Sequence, residues 1–452
     1  MDSYRLAIIC AFVAFGGVLL AVNPRAFVAM VFVYLAFVGH LRRALIPFAG
    51  WPQTDALLLL GSACGVLLFG YVLLRGFVRL DTNLAKWIAA FLGIMVVQIF
   101  NPRQGGLMVG VAGALFYIVP MLWFWCGRAM ATPNFVMKLF HWCVVPIGVI
   151  AAGHGIFQAF VGYLPYEKTW IALYGYSALY VTADAIRTFS IFPSTAEYAA
   201  YLCMTVAVIV AGVFNRRILW AVILPVILLA LFVLGSRGPM VVVTMLPALL
   251  WAAQGRSRTV WLPRLALAVF VFVSGLLWTL SQAKNIQWSE RVQPLVSHQV
   301  EGLHNANEST APAHFTMIGE GLLKGFSDPL GSGLGATTMR GSAGSTETDW
   351  ANMFVSVGAI GGLLYTIIII KVIALAARFW GATRTPVALV IAAVLASQLL
   401  QWLNGAHYSV APIVWFTIGA LDRFARPGTR QVVAHAKAKS LPPTVGLPAP
   451  VR

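Results

Sequence analysis

Apolar runs dominate this chain from its first residues almost to its end, and polar residues cluster at the breaks between them. Thirteen stretches are long and apolar enough to predict helices buried in a bilayer: roughly 5–22, 26–40, 55–74, 84–100, 107–126, 138–162, 192–213, 218–234, 239–253, 262–282, 350–370, 386–403 and 408–422. A bilayer core takes about 20 apolar residues per helix and leaves no water for unpaired backbone groups, so closed helices are the expected element. No period-2 strand pattern of a barrel is present. The first run lacks a small-residue cleavage site before Asn23-Pro24-Arg25 and reads as a retained span. The pattern breaks once at length, between about Lys284 and Trp350. Of the 14 acidic residues, seven lie in that stretch: Glu290, Glu301, Glu308, Glu320, Asp328, Glu347 and Asp349.

The expected fold class is therefore all-α, a polytopic membrane bundle of about 12–14 transmembrane helices with one large periplasmic loop. Its expected parts are an N-terminal transmembrane bundle (1–282), the loop (283–349), C-terminal transmembrane helices (350–422) and a disordered, basic cytoplasmic tail (423–452). Composition agrees: 60% of the 452 residues are hydrophobic, 10% are charged, and the mean hydropathy is +0.83. The five cysteines (Cys10, Cys64, Cys126, Cys143, Cys203) all sit in apolar runs without metal-ligand spacing, so neither a disulfide framework nor a zinc site follows from them.

A net charge of +17 invites a nucleic-acid reading, but the positions of the charges exclude it. With alternating spans and the basic tail inside, 20 of the 31 Lys+Arg fall on the cytoplasmic side, with only Asp81 and Asp422 as acids there. This positive-inside bias puts the acidic loop outside the cytoplasmic membrane, and the tail against anionic lipid.

Once the orientation is set, the basic residues on the opposite side stand out. Arg42, Arg43, Arg103, Arg187 and Arg237 each end or begin a span on the loop side. Arginine stays charged and matches phosphate oxygens with a planar fork, so this set fits a cradle for a pyrophosphate-linked lipid. The plainer reading pairs the same residues with lipid headgroups or with Asp55, Asp184 and Glu197. Ser194-Thr-Ala-Glu197 has the form of a capping box, a modest explanation for both of its polar ends. Tyr163, Tyr166, Trp170, Tyr174, Tyr176 and Tyr180 precede Arg187 and suit interfacial anchoring, with sugar stacking as the second reading.

The polar loop ends in Gly331-Ser-Gly-Leu-Gly335 and Glu347-Thr-Asp349-Trp-Ala-Asn352, running into a span with Gly358 and Gly361. Its glycines permit close backbone approach, but no strand precedes them, so this is no dinucleotide fingerprint. His314 heads a predicted helix, His314-Phe-Thr-Met-Ile-Gly-Glu320.

The order of an Asn-Pro turn (Asn101-Pro102), an Arg-x-x-Ser entry (Arg187, Ser190), a Ser-Arg-Gly turn (236–238), a late polar loop and a G-x-x-G span resembles the O-antigen polymerase/ligase superfamily. That group comprises Wzy-type polymerases, WaaL-type ligases and exopolysaccharide repeat-unit polymerases, and the resemblance covers roughly residues 95–370. It implies a GT-C-like glycosyltransferase taking an undecaprenyl-pyrophosphate glycan as donor, with no metal or other cofactor, beside a flippase and a chain-length regulator. Arg187 and Arg237 match the family's pyrophosphate-binding arginines, and Arg42, Arg43 and Arg103 support them. The family often has a histidine immediately before the loop's last asparagine. Here Asp349 or Glu347 stands in its place, with His314 and His304 as alternative bases; each carboxylate also reads as loop solvation or a helix cap. Glu197 and Asn352 are further candidate substrate contacts. Polymerisation is the leading expectation, transfer of a finished glycan to lipid A-core or another acceptor is the alternative, and a polysaccharide flippase is the more distant one. Against the last, no internal duplication or midplane charge pattern of a transporter is visible. A peptidoglycan polymerase of the SEDS type uses a similar donor but generally has fewer spans.

Overall fold

The computed structural model describes residues 2–52, 55–174, 179–181, 185–255, 257–304, 311–338, 340–345, 348–399 and 408–426, without the side chains of 258, 301–304, 311, 313 and 314. Among them the chain is helical, with no strand and only an isolated bridge between Tyr180 and Ile186.

The helices are α1 (Ser3–Val22), α2 (Pro24–Ala44), α3 (Ala56–Leu74), α4 (Asn83–Gln98), α5 (Leu107–Met130), α6 (Pro133–Phe160), α7 (Pro165–Tyr174), α8 (Thr195–Phe214), α9 (Ile218–Phe232), α10 (Arg237–Ala252), α11 (Arg258–Ala283), α12 (Gln293–His304), α13 (Ala311–Ser327), α14 (Asp349–Thr383), α15 (Pro386–Ser397) and α16 (Ala411–Phe424). Each of the thirteen apolar stretches falls on one of them. By length and composition, eight of the described helices can cross a membrane, and α4, α9, α10 and α15 are shorter apolar helices. The architecture is that of a multi-pass membrane bundle.

Polar residues at the breaks start the helices as expected. Asn23, Asp55, Thr82, Ser194 and Thr348 each accept a hydrogen bond from a first-turn N–H of the helix they precede. α8 is buried along nearly its whole length, whereas α11 has almost no buried residues and lies at the periphery. α5 and α16 pack at short range through Gly127 and Gly419. A Cβ on Gly127 would sit 2.1 Å from the Phe416 carbonyl oxygen, and one on Gly419 2.0 Å from that of Phe124. Small residues let apolar helices approach this closely where lipid supplies no hydrophobic drive between them. Within α6 the residues Phe140–Val144 form a π turn, a local widening of the helix.

The bundle has two chemically different ends. Arg25 Nε donates to the Met130 carbonyl at 3.0 Å, so the start of α2 and the end of α5 share one end. There Arg128 pairs with Asp81 and with Asp422 (3.0 Å), Arg426 pairs with Asp81 (2.9 Å), and Thr82 donates to Asp422 (3.0 Å). Arg42, Arg43 and Arg103 lie at the opposite ends of those helices. The tail expected at 423–452 lies outside the described residues beyond Arg426. Of the cysteines, four are buried and Cys10 is exposed on α1; all are free.

Candidate functional site

The late polar segment is built rather than loose. After α12 and α13 it turns through Asp328–Gly335 and wedges between the α4–α5 turn and α14. Ser332 and Gly333 N–H donate to the carbonyls of Val355 and Ser356 at 2.8 and 3.0 Å, and Leu334 N–H donates to Gln98 O at 3.2 Å. From the other side, Gln98 Nε2 donates to Leu330 O (2.6 Å) and Asn101 Nδ2 to Gly331 O (3.0 Å). Gln104, fully buried, accepts from Gly335 N–H at 3.0 Å and donates to Ile99 O at 2.5 Å. A Cβ on Gly335 would lie 2.1 Å from Val109 O, so only glycine allows this seat. α14 breaks to receive the segment: Gly358 has φ +72° and ψ −176°, inside what is otherwise one helix. The Asn-Pro turn and the glycine run thus act on each other.

Around this seat lie several residues singled out from the sequence. Arg103 is exposed and pairs with Asp328 at 2.8 Å, and its carbonyl accepts from Ser342 Oγ at 2.6 Å. Asn352 is buried near the start of α14, with Nδ2 3.5 Å from Ser345 Oγ. Asp349 opens α14; its Oδ1 is buried and has no hydrogen-bond partner among the described residues. It lies within electrostatic reach of Tyr117 and Tyr365. Tyr117 continues to Thr337 (3.4 Å), and Thr337 to the buried Ser356 (3.1 Å). An orphaned buried carboxylate oxygen is costly and asks for a role. Glu347 and the side chains of His314 and His304 lie outside the described residues; the helix expected around His314 is α13.

A second grouping brings together residues that are distant in sequence. Arg237 donates through Nη2 to the carbonyl of His298 on α12 at 2.9 Å. Arg187 packs beside the Ser-Arg-Gly turn, where a Cβ on Gly235 would be 3.8 Å from Arg187 Cγ. Burial, together with the positive charges of Arg237 and Arg187, holds the His298 imidazole below its ordinary range, so it is neutral at neutral pH. Two guanidinium groups from separate loops thus stand beside one half-buried imidazole. The sequence singles out His314 and His304 in this segment and misses His298, which only the packing of α12 brings against the Ser-Arg-Gly turn.

The remaining arginines are engaged elsewhere. Arg42 pairs with the buried Asp55 at 2.7 Å and lies over Trp51, its guanidinium carbon 4.3 Å from the ring centroid. Arg5 also reaches Asp55, at 3.6 Å. Arg43 donates to the carbonyls of Ser190 (2.6 Å) and Phe192 (2.8 Å) and lies against Phe189 and Trp170. It thereby holds the segment that follows Arg187. The capping box at 194–197 is half formed: Ser194 Oγ caps Glu197 N–H at 3.2 Å, but the Glu197 carboxylate turns away to accept from the N–H (2.9 Å) and hydroxyl of Ser409. Trp170 is buried and Tyr163 stacks on the buried Phe189 at 5.3 Å, so these two pack inward, whereas Tyr174 is exposed. Tyr176 and Asp184 lie outside the described residues.

No protein-family model matches the chain, and no curated protein matches it.

Proposed function

We propose that this chain is a bacterial inner-membrane glycosyltransferase that polymerises undecaprenyl-pyrophosphate-linked oligosaccharide repeat units at the periplasmic face, with a GT-C-like arrangement. The observation that carries the reading is the convergence of Arg187 and Arg237, from two separate loops, on His298. In the proposed reaction an acceptor hydroxyl oxygen bonds to the anomeric carbon while the bond from that carbon to the pyrophosphate oxygen breaks. The electron pair leaves with the lipid pyrophosphate, whose charge the two arginines offset. The hydroxyl proton passes to a base. His298 stands beside the arginines for that role, and Asp349 is the acidic candidate at the other grouping.

The test is complementation of a deletion strain with wild type, Arg187→Ala, Arg237→Ala, His298→Ala or Asp349→Ala at matched membrane levels. Envelope polysaccharide is resolved by size and lipid-linked glycans by mass spectrometry. Single outward-facing repeat units without long polymer are the expected result for the arginine variants. Long lipid-linked polymer lacking its final acceptor replaces the polymerase with a ligase. Donor trapped on the cytoplasmic face means a flippase and ends the enzyme reading.

A further inference from the structure

Three side chains from three helices meet behind the segment that carries Arg187. They are His40 of α2, His154 of α6 and Glu167 of α7, and one donor atom from each lies within 4.8 Å of the others. His154 Nε2 is 3.5 Å from Glu167 Oε1, and the two imidazoles meet edge to face with centroids 5.5 Å apart. His40 Nδ1 and both ring nitrogens of His154 are buried and have no hydrogen-bond partner among the described residues. Glu167 is fully buried, its Oε1 accepting from Gln158 Nε2 (2.9 Å) and its Oε2 from Leu164 N–H (3.0 Å). Three buried imidazole nitrogens without a hydrogen bond among the described residues, beside a buried carboxylate, form a donor set suited to a cation.

We propose that His40, His154 and Glu167 bind one transition-metal dication of the zinc class. Two imidazoles and a carboxylate are a common ligand set for such an ion, and ligand atoms about 2.0–2.2 Å from the metal stand roughly 3.4 Å apart in tetrahedral geometry. The 3.5 Å separation of His154 and Glu167 already meets that spacing, and side-chain rotation closes the rest. Gln158 and Leu164 hold the carboxylate as outer partners hold metal ligands. Arg43 lies within electrostatic range of all three residues. Its charge is balanced by Glu167, so with neutral imidazoles the donor set is neutral overall, as in three-histidine zinc sites. Three protein ligands leave a fourth position for a water, and the Tyr166 hydroxyl stands 3.5 Å from His40 Nε2.

The ion braces the Arg187 segment. Gln158, which holds Glu167, accepts with Oε1 from the N–H groups of Phe189 (3.1 Å) and Ser190 (2.8 Å). His40 N–H donates to Ile191 O at 2.8 Å, and Tyr163 Oη donates to the carbonyls of Ile186 (2.9 Å) and Arg187 (3.2 Å). A metal pinning α2, α6 and α7 together thus fixes both flanks of Arg187. This inference stands independently of the proposed glycosyl transfer.

The experiment uses the full chain in detergent, purified by an affinity tag without histidines, stripped with a chelator and titrated with Co²⁺. Expected are one Co²⁺ per chain by elemental analysis, a visible d–d absorption that Zn²⁺ abolishes, and a rise in unfolding temperature with Zn²⁺. His154→Ala and Glu167→Gln each weaken binding at least tenfold, while His435→Ala in the tail leaves it unchanged. Should His154→Ala fail to elute as a monodisperse species, Glu167→Gln, which keeps the side chain's size, decides. A stripped wild type that takes up no Co²⁺, or a signal that survives in both variants, overturns the site.

Discussion

Replacing Gly358 with alanine tests whether the break in α14 is required to seat the late polar segment. Two costs add. At φ +72° and ψ −176° the residue occupies a region open essentially to glycine alone, where a side chain costs about 1–3 kcal/mol. The new Cβ would also stand 2.0 Å from the Pro329 carbonyl oxygen, and forcing a packed backbone apart costs about 1–3 kcal/mol more. Together the loss is about 2–6 kcal/mol, a large share of the roughly 5–15 kcal/mol that holds a typical domain. The matched control is Gly275→Ala, which lies in α11 with nothing within 4 Å of an added Cβ, so it should gain up to about 1 kcal/mol of helix propensity. The assay is the unfolding midpoint of both variants in detergent against a denaturant, alongside membrane yield. A Gly358→Ala protein whose midpoint equals that of wild type would refute the argument, because the segment would then not need the broken helix.

Arg42→Ala should destabilise strongly, toward the roughly 3–5 kcal/mol typical of a buried charge losing its partner and moderated by Arg5, while Arg42→Ala/Asp55→Asn should recover part of the loss in the same unfolding assay. Arg103→Ala removes an exposed ion pair with Asp328, so its stability should change by less than about 1 kcal/mol, and any fall in polymer output at normal midpoint would report on substrate. Because His298 is held below its ordinary range, the unfolded chain takes up a proton near pH 6.5 that the folded one refuses. Its contribution to stability is therefore full above pH 6.5 and is lost as the pH falls toward the folded value. The acid limb of kcat/KM, which reports the free protein, should accordingly lie below pH 6.5 and move upward in Arg237→Gln; an unmoved limb in that profile would remove His298 from the reaction.

Helices were legible wherever apolar runs were long, because burial in lipid leaves the backbone a single solution. So was the use of the glycine run: close backbone approach could be read from residues 331–335, although the partners, Gln98 to Gln104 and the broken α14, could not. What stayed hidden was pairing across distance. His40, His154 and Glu167 each sit within or next to an apolar run, and up to 127 positions separate them, so no spacing marks the cluster. His298 carries no signal that sets it above His304 and His314, the two the sequence points to; only the packing of α12 brings it against the Ser-Arg-Gly turn. Glu197 carried the pattern of a reciprocal cap, but Ser409, more than 200 residues later, outcompetes the local N–H for its carboxylate.

The arginines on the loop side follow one physical logic with two outcomes. Each is a guanidinium at a helix end or between helices, and each needs a partner. Where the partner is a fixed part of the fold, the arginine is a fastener: Arg42 holds Asp55, and Arg43 holds the Ser190 and Phe192 carbonyls. Arg187 and Arg237 instead lie beside His298, whose carbonyl accepts from Arg237 Nη2 and whose imidazole is held below its ordinary range by burial and by their charges. Arg43 joins the two outcomes, since by holding the backbone at 190–192 it fixes the segment that follows Arg187.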